Sequence, residues 1–223
     1  MSLNKIGLRI NTDFQRVEKK WIERARKIQI SNVGDVCFRL QGFHAGFNQY
    51  GKKKKFAGPA LTVMVRPGDN LMLHKAIDIA QPGDVIVIDA GGALNTSIFG
   101  AMMSNYALKR GVEAMIVNGA IRDVEEISQL DLGVVALGAT PNGPFKSGPG
   151  EIGYPITCGG VTVHPGDLIL GDWDGVQTVD LSEVPRVIEE SEAVVLKEKE
   201  WEKQIQNGTW DRKWVDEFIN KLV

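Results

Sequence analysis

Cysteine is nearly absent from this chain: Cys37 and Cys158 are the only two in 223 residues, and neither sits in a metal-ligand spacing. Two isolated thiols make no disulfide framework and read as reduced residues of a cytoplasmic protein. Histidine is equally sparse. His44, His74 and His164 are scattered, with no pair at the HxxxH spacing of a helical metal site, so each reads as an ordinary surface or core residue. Long apolar runs are missing too. None approaches the roughly 20 residues that span a bilayer, and MSLNKIGLRI lacks the apolar segment of a signal peptide, so no membrane partner is expected. Charge of one sign is not in excess: 26 Lys and Arg face 28 Asp and Glu, which removes the electrostatic reason to expect nucleic acid. The one basic run, Lys52 to Lys55, has no interleaved aromatic residues to stack on bases and reads as a solvated loop. The stretch from Asn95 to Met103 carries no GxGxxG fingerprint and no P-loop, and a GxSxG elbow, a Cys–His arrangement and a methyltransferase-type glycine loop are missing from the chain.

What is present is 43% hydrophobic residues, enough for a substantial core, and 25 glycines, which imply many tight turns. The length suits one large domain or one domain with terminal arms. Phe14, Val17, Trp21, Ala25 and Ile28 recur at helix spacing and predict a helix over about 13–28, with Asp13 as its N-cap. Residues 31–56 read as irregular and polar. Strands and helices then alternate: a strand at Ala60–Val65, a helix from Asp69 to about Ala80, a buried β-branched strand at Val85–Ile88, and a helix from about Ser97 to Arg110 closed by Gly111. A strand at Ala114–Val117, a loop at Asn118–Arg122, a short helix to about Leu130 and a strand at Val134–Leu137 follow. Pro82-Gly83-Asp84 and Pro165-Gly166-Asp167 echo each other as turn-to-strand junctions. Two charged, amphipathic helices, over Ser182–Gln206 and Trp210–Leu222, end the chain and carry Trp201, Trp210 and Trp214.

Two segments offer chemistry. Asn95 to Met103 reads as a capped helix start, whose free N–H groups and positive dipole end suit a carboxylate or phosphate. Gly100 there would let a ligand approach the backbone. Asn118 to Glu126 follows a strand and opens a helix, a usual place for ligand-handling residues in α/β folds. Arg122 carries a fork of donors that suits a carboxylate. Asp123 is open to two readings: it can hold a divalent cation such as magnesium, or it can form a capping box with Glu126, three residues on.

Gly83 to Asp89, Gly100, Arg110-Gly111-Val112, Asn118 to Val124, Gly159 to Asp167 and Asp174-Gly175-Val176 occur in that order. Together they resemble the RraA-like proteins, a family that includes the 4-hydroxy-4-methyl-2-oxoglutarate aldolases; the resemblance covers roughly residues 31–208. It implies an α/β fold, a layered α-β-β-α sandwich of the swivelling phosphohistidine-domain type with N- and C-terminal helical arms. It also implies one domain over 1–223, with its core at about 31–180, assembled as a homotrimer or hexamer with sites at subunit boundaries. For the site it implies a catalytic pair, Arg122 and Asp123. Asp123 holds the metal, magnesium or alternatively manganese, with Glu126 behind it. Arg122 contacts a small 2-oxo acid, and the amides of Gly100, Ala101, Met102 and Met103 hold the pyruvyl carboxylate. The implied reaction is retro-aldol cleavage of a 4-hydroxy-2-oxo acid to pyruvate, with oxaloacetate decarboxylation beside it. The rival role within the family is a non-catalytic regulator that binds a ribonuclease. One position departs from the aldolase pattern: aldolases carry an acid, then twenty residues, then the Arg-Asp pair, and here the acid's position is Ala101.

Overall fold

The computed structural model describes residues 4–222. Its first half runs β1 (Asn4–Lys5), β2 (Leu8–Ile10), α1 (Lys19–Ala25), α2 (Ile30–Val36), β3 (Asn48–Gln49), β4 (Phe56–Val65), α3 (Leu71–Ile79) and β5 (Val85–Asp89). The middle continues with β6 (Ser97–Phe99), α4 (Ala101–Lys109), β7 (Ala114–Ile121), α5 (Val124–Ile127) and β8 (Gly133–Ala139). The last part comprises β9 (Gly150–Ile152), β10 (Ile156–Cys158), β11 (Val161–Val163), β12 (Leu168–Asp172), β13 (Gly175–Val179), α6 (Val184–Gln206) and α7 (Lys213–Asn220).

The fold is mixed α/β. Its centre is the parallel set β4-β5-β7-β8, in which Ala60 to Met64 pair with Val85 to Asp89, and Val85 to Asp89 pair with Ala114 to Asn118. Strand alternation sorts the apolar residues into two faces. Leu61, Val63, Ile86, Ile88, Met115 and Val117 share one cluster with Leu73, Ile77, Ala101 and Ala107 of α3 and α4. Ala60, Val85, Val87, Ala114 and Ile116 share another with Ile156, Val163, Ile169 and Val176 of β10 to β13. β4 belongs to both sets of strands: Phe56–Pro59 pair antiparallel with β12, and Ala60–Met64 pair with β5. Beyond β12, Leu168, Leu170 and Val179 pack on Val33, Val184, Val187 and Ile188 of α2 and α6.

Several local expectations change. The helix expected over 13–28 starts only at Lys19, and Asp13 is not its N-cap. Residues 13–18 are held extended because Arg16 reaches the buried Asp84 with two hydrogen bonds of 2.8 and 3.1 Å, while the Asp13 N–H donates to Asn11 Oδ1. The segment read as irregular holds α2, whose Ile30 and Val33 are buried and whose first N–H donates to Asp172 Oδ2 at 3.0 Å. Strand β4 begins at Phe56, four residues before the expected start. Ser97 does not cap a helix. It opens β6, fully buried against β7, with its N–H and hydroxyl both donating to Asn142 O. The loop expected at Asn118–Arg122 is mostly strand, since β7 runs on to Ile121 across a register shift between Val117 and Ala120. Among the described residues no helix is long and apolar enough to cross a membrane.

Candidate active site

β5 and β7 end at the same edge of the central sheet, where α/β folds commonly place ligands. The Arg122 N–H donates to Phe99 O at 3.0 Å and fastens the end of β7 to the end of β6. Gly100 follows at once, in the N-cap position of α4. A Cβ on Gly100 would collide with Asp123 Oδ2 and lie 2.8 Å from Arg122 Cγ. Its φ of −143° is extended backbone, so what demands glycine here is space.

Asp123 has φ 56° and ψ 42°, the left-handed region. Few residues other than glycine adopt it, and short polar side chains tolerate it best. The turn swings the carboxylate back over α4, and Oδ2 accepts the Ala101 N–H at 3.0 Å. The capping box is therefore not formed. Asp123 makes no side-chain cap bond to α5, and caps a helix that starts twenty-two residues earlier. Glu126 is exposed and stands outside the cavity that Asp123 lines.

That cavity, of about 210 Å³, brings together Gly100, Met102, Met103, Arg122 and Asp123. Ala101 lies behind it, 3% exposed, with a methyl group that offers no donor. The amides of Met102 and Met103 belong to the first turn of α4 and have no intrahelical acceptor, and the helix dipole adds positive potential there. Arg122 Nε lies 3.5 Å from Asp123 Oδ2, both side chains being about two-fifths exposed. Such a pair is weak in water and leaves the guanidinium able to engage an anion.

Three further polar lining residues were not read as site residues from the sequence: Asn70, His74 and Lys146. Asn70 is buried; its Nδ2 donates to Ile98 O at 2.9 Å, while its Oδ1 meets no donor. Burial, then the nearby Lys146 charge, pushes the His74 imidazole below its ordinary value, and Asp78 opposes them in part. Asn70 and His74 are four apart at the start of α3 and so share a helix face, a spacing visible in the sequence. Lys146 lies between β8 and β9, in a segment rich in Gly and Pro, and carried no signal.

The donor set can take a hard divalent cation. Asp123 spends one contact on Ala101 and keeps free lone pairs, since a carboxylate accepts at about four sites. Magnesium commonly uses one or two protein carboxylates and fills its remaining positions with water and substrate oxygens. No second carboxylate lines the cavity.

Comparison with known proteins gives the family. A family model described as RraA-like, Aldolase/RraA, matches residues 30–177. A Halalkalibacterium halodurans protein provisionally named 4-hydroxy-4-methyl-2-oxoglutarate aldolase is 34% identical over 210 residues, covering 94% of this chain and 99% of its own. The 4-hydroxy-4-methyl-2-oxoglutarate aldolase of Thermus thermophilus is 36% identical over 130 residues, 58% of this chain and 79% of its own. Among solved structures, the RNA-processing inhibitor RraA of Thermus superimposes with a TM-score of 0.64 at 31% identity, over 68% of this chain and 92% of its own. With the family model spanning the central sheet, β6, α4 and the Arg122-Asp123 turn alike, the chain belongs to the RraA-like family.

Proposed function

We propose that this protein is a metal-dependent lyase of the pyruvate-aldolase type, cleaving a small 4-hydroxy-2-oxo acid to pyruvate and able to decarboxylate oxaloacetate. One observation carries the reading: Asp123, Arg122, Met102 and Met103 line one cavity of about 210 Å³, and the two methionine amides lie in the first turn of α4 without intrahelical acceptors. Relatives named as aldolases support it.

Asp123 is the residue that would hold a divalent ion, magnesium or manganese. When bound, that ion supplies Lewis-acid polarisation of the 2-keto oxygen. The chain's own groups do the rest. The amides of Met102 and Met103 hold the substrate carboxylate at the positive end of α4. The Arg122 guanidinium faces the keto oxygen and stabilises the negative charge that develops as the C–C bond breaks to leave pyruvate enolate. Oxaloacetate gives the same enolate on losing carbon dioxide, so one site serves both reactions. Lys146 adds a cation for the distal carboxylate. Glu126, exposed and outside the cavity, acts at most through water. Ala101 supplies no acid, so water held by the remaining groups takes the 4-hydroxyl proton as that carbon becomes a carbonyl, and water likewise returns a proton to the enolate to give pyruvate.

The same reading includes the α-β-β-α layering of a swivelling phosphohistidine-type domain, suggested by helices packed outside two facing sets of strands. It also includes a cytoplasmic location and a homotrimer or hexamer. Support for assembly comes from α7, which has no buried residue and exposes Trp214, Phe218 and Ile219.

The test is pyruvate release from 4-hydroxy-4-methyl-2-oxoglutarate and from oxaloacetate, coupled to NADH oxidation, with and without magnesium. A second reading is a regulator that binds a ribonuclease without catalysis; Ala101 and the likeness to RraA favour it. Absence of magnesium-dependent pyruvate release, together with ribonuclease inhibition, would establish that reading instead.

A further inference from the structure

The two echoing turns of the sequence differ in how their aspartates are neutralised. In both, a glycine at φ near +90° precedes a buried aspartate, which accepts the N–H three residues back: Asp84 from Gln81, Asp167 from His164. Asp84 also receives the two-point Arg16 guanidinium. Asp167, whose side chain is 5% exposed, has no lysine or arginine partner among the described residues. In place of a cation it faces the His164 imidazole and a second carboxylate, Asp180. Burial pushes the Asp167 carboxyl above its ordinary range, two backbone N–H groups and His164 oppose this, and Asp180 adds to it.

Ligand atoms of His164, Asp167 and Asp180 all lie within 4.8 Å of one another. They line a cavity of about 240 Å³, and Thr178 lines it with them. Thr178 is 2% exposed, and its hydroxyl meets no hydrogen-bond partner. Buried hydroxyls without partners are uncommon and point to an unrecorded water, ion or ligand. Asp167 spends one contact per oxygen on His164 and Leu181 N–H groups, and Asp180 spends Oδ1 on Ser182, so both keep lone pairs.

We propose that His164, Asp167 and Asp180 form a binding site for a divalent transition-metal ion of the zinc class, separate from the Asp123 cavity. One imidazole and two carboxylates are a borderline N/O donor set, which zinc accepts readily and magnesium does not favour. Tetrahedral zinc with bonds of about 2.1 Å sets its ligand atoms about 3.4 Å apart. The half-exposed His164 side chain closes the difference by rotating. A metal-bound water supplies the partner that the Thr178 hydroxyl lacks. The ion ties the turn between β11 and β12 to the segment joining β13 to α6, and so fixes the root of the C-terminal helix to the body. None of its ligands lines the Asp123 cavity, and the inference does not rest on the proposed lyase activity.

The experiment is calorimetric titration of the chelator-stripped full chain with zinc chloride, in excess magnesium to occupy a hard-cation site at Asp123. The expected result is one zinc per chain. His164→Ala and Asp180→Asn should each weaken it by roughly tenfold or more, and Asp123→Asn should leave it unchanged. Both substituted positions are exposed and keep the fold, which circular dichroism checks; visible absorption of the cobalt(II) form, altered by His164→Ala, gives a second readout. No zinc binding by the wild-type chain, or wild-type affinity in both variants, overturns the site. Loss in Asp123→Asn alone moves the ion to the other cavity and overturns it equally.

Discussion

Replacing Asp123 with asparagine separates its structural task from its proposed metal-binding one. In the structure Asp123 Oδ2 caps α4 through the Ala101 N–H, and its backbone is left-handed. Asparagine caps about as well as aspartate and tolerates that backbone. The variant loses a negative charge at a helix N-terminus, worth about 0.3–1 kcal/mol and at the lower end for so exposed a carboxylate. For a chain of this size 1 kcal/mol moves Tm by about 2–4 °C, so without metal the variant should melt within about 2 °C of wild type. Magnesium at a hundred times its Kd stabilises the native state by about 2.7 kcal/mol, a shift of about 5–11 °C. Wild type should show that shift and Asp123→Asn should lose it. Asp123→Ala is the contrast: it removes the cap, about 1 kcal/mol, and strains the left-handed backbone by about as much again, so it should melt clearly lower even without metal. The assay is thermal unfolding followed by circular dichroism, with and without magnesium. An unchanged magnesium shift in Asp123→Asn would falsify the metal assignment.

Arg122→Lys keeps the charge and loses the two-point fork, so the apparent substrate constant in the pyruvate assay should rise roughly tenfold, the equivalent of about 1.4 kcal/mol, while Tm holds; an unchanged constant refutes the contact. Ala101→Asp puts an acid beside the Asp123 carboxylate, so Tm should fall without metal and pyruvate release should increase with magnesium; no gain with metal binding intact means that the site serves another reaction. His74 has a depressed folded-state value, so its contribution is present above the ordinary histidine value of 6.5 and is lost as pH falls through the folded value. His74→Gln should therefore lose less Tm than wild type between neutral pH and about pH 5, and parallel acid curves refute the burial argument. Light scattering should report three or six times the 24.5 kDa chain mass, and a monomer at micromolar concentration would sink the assembly proposal.

The central sheet was legible because Val85 to Ile88 and Ala114 to Val117 are apolar runs with clear turns around them. The Arg122-Asp123 turn was legible as a motif, yet its geometry was not. Capping-box spacing pointed to α5, whereas a left-handed Asp123 directs its carboxylate to α4, which only Gly100 leaves room for. Helix spacing in Phe14 and Val17 misled because a distant partner, Asp84, holds Arg16 and unwinds the segment. Ser97 looked like a cap because local propensity cannot register the β7 edge waiting to pair with it. His164 read as ordinary because its companions lie three and sixteen residues on, the nearer within a turn and the farther beyond β13.

β4 hands its backbone hydrogen bonds from one set of strands to the other at the Pro59–Ala60 link. Peeling away β12 strips the first half of a strand whose second half carries β5, so neither set of strands opens without loosening the other. Amide exchange in β5 and in β12 is therefore expected to slow together, as one cooperative opening.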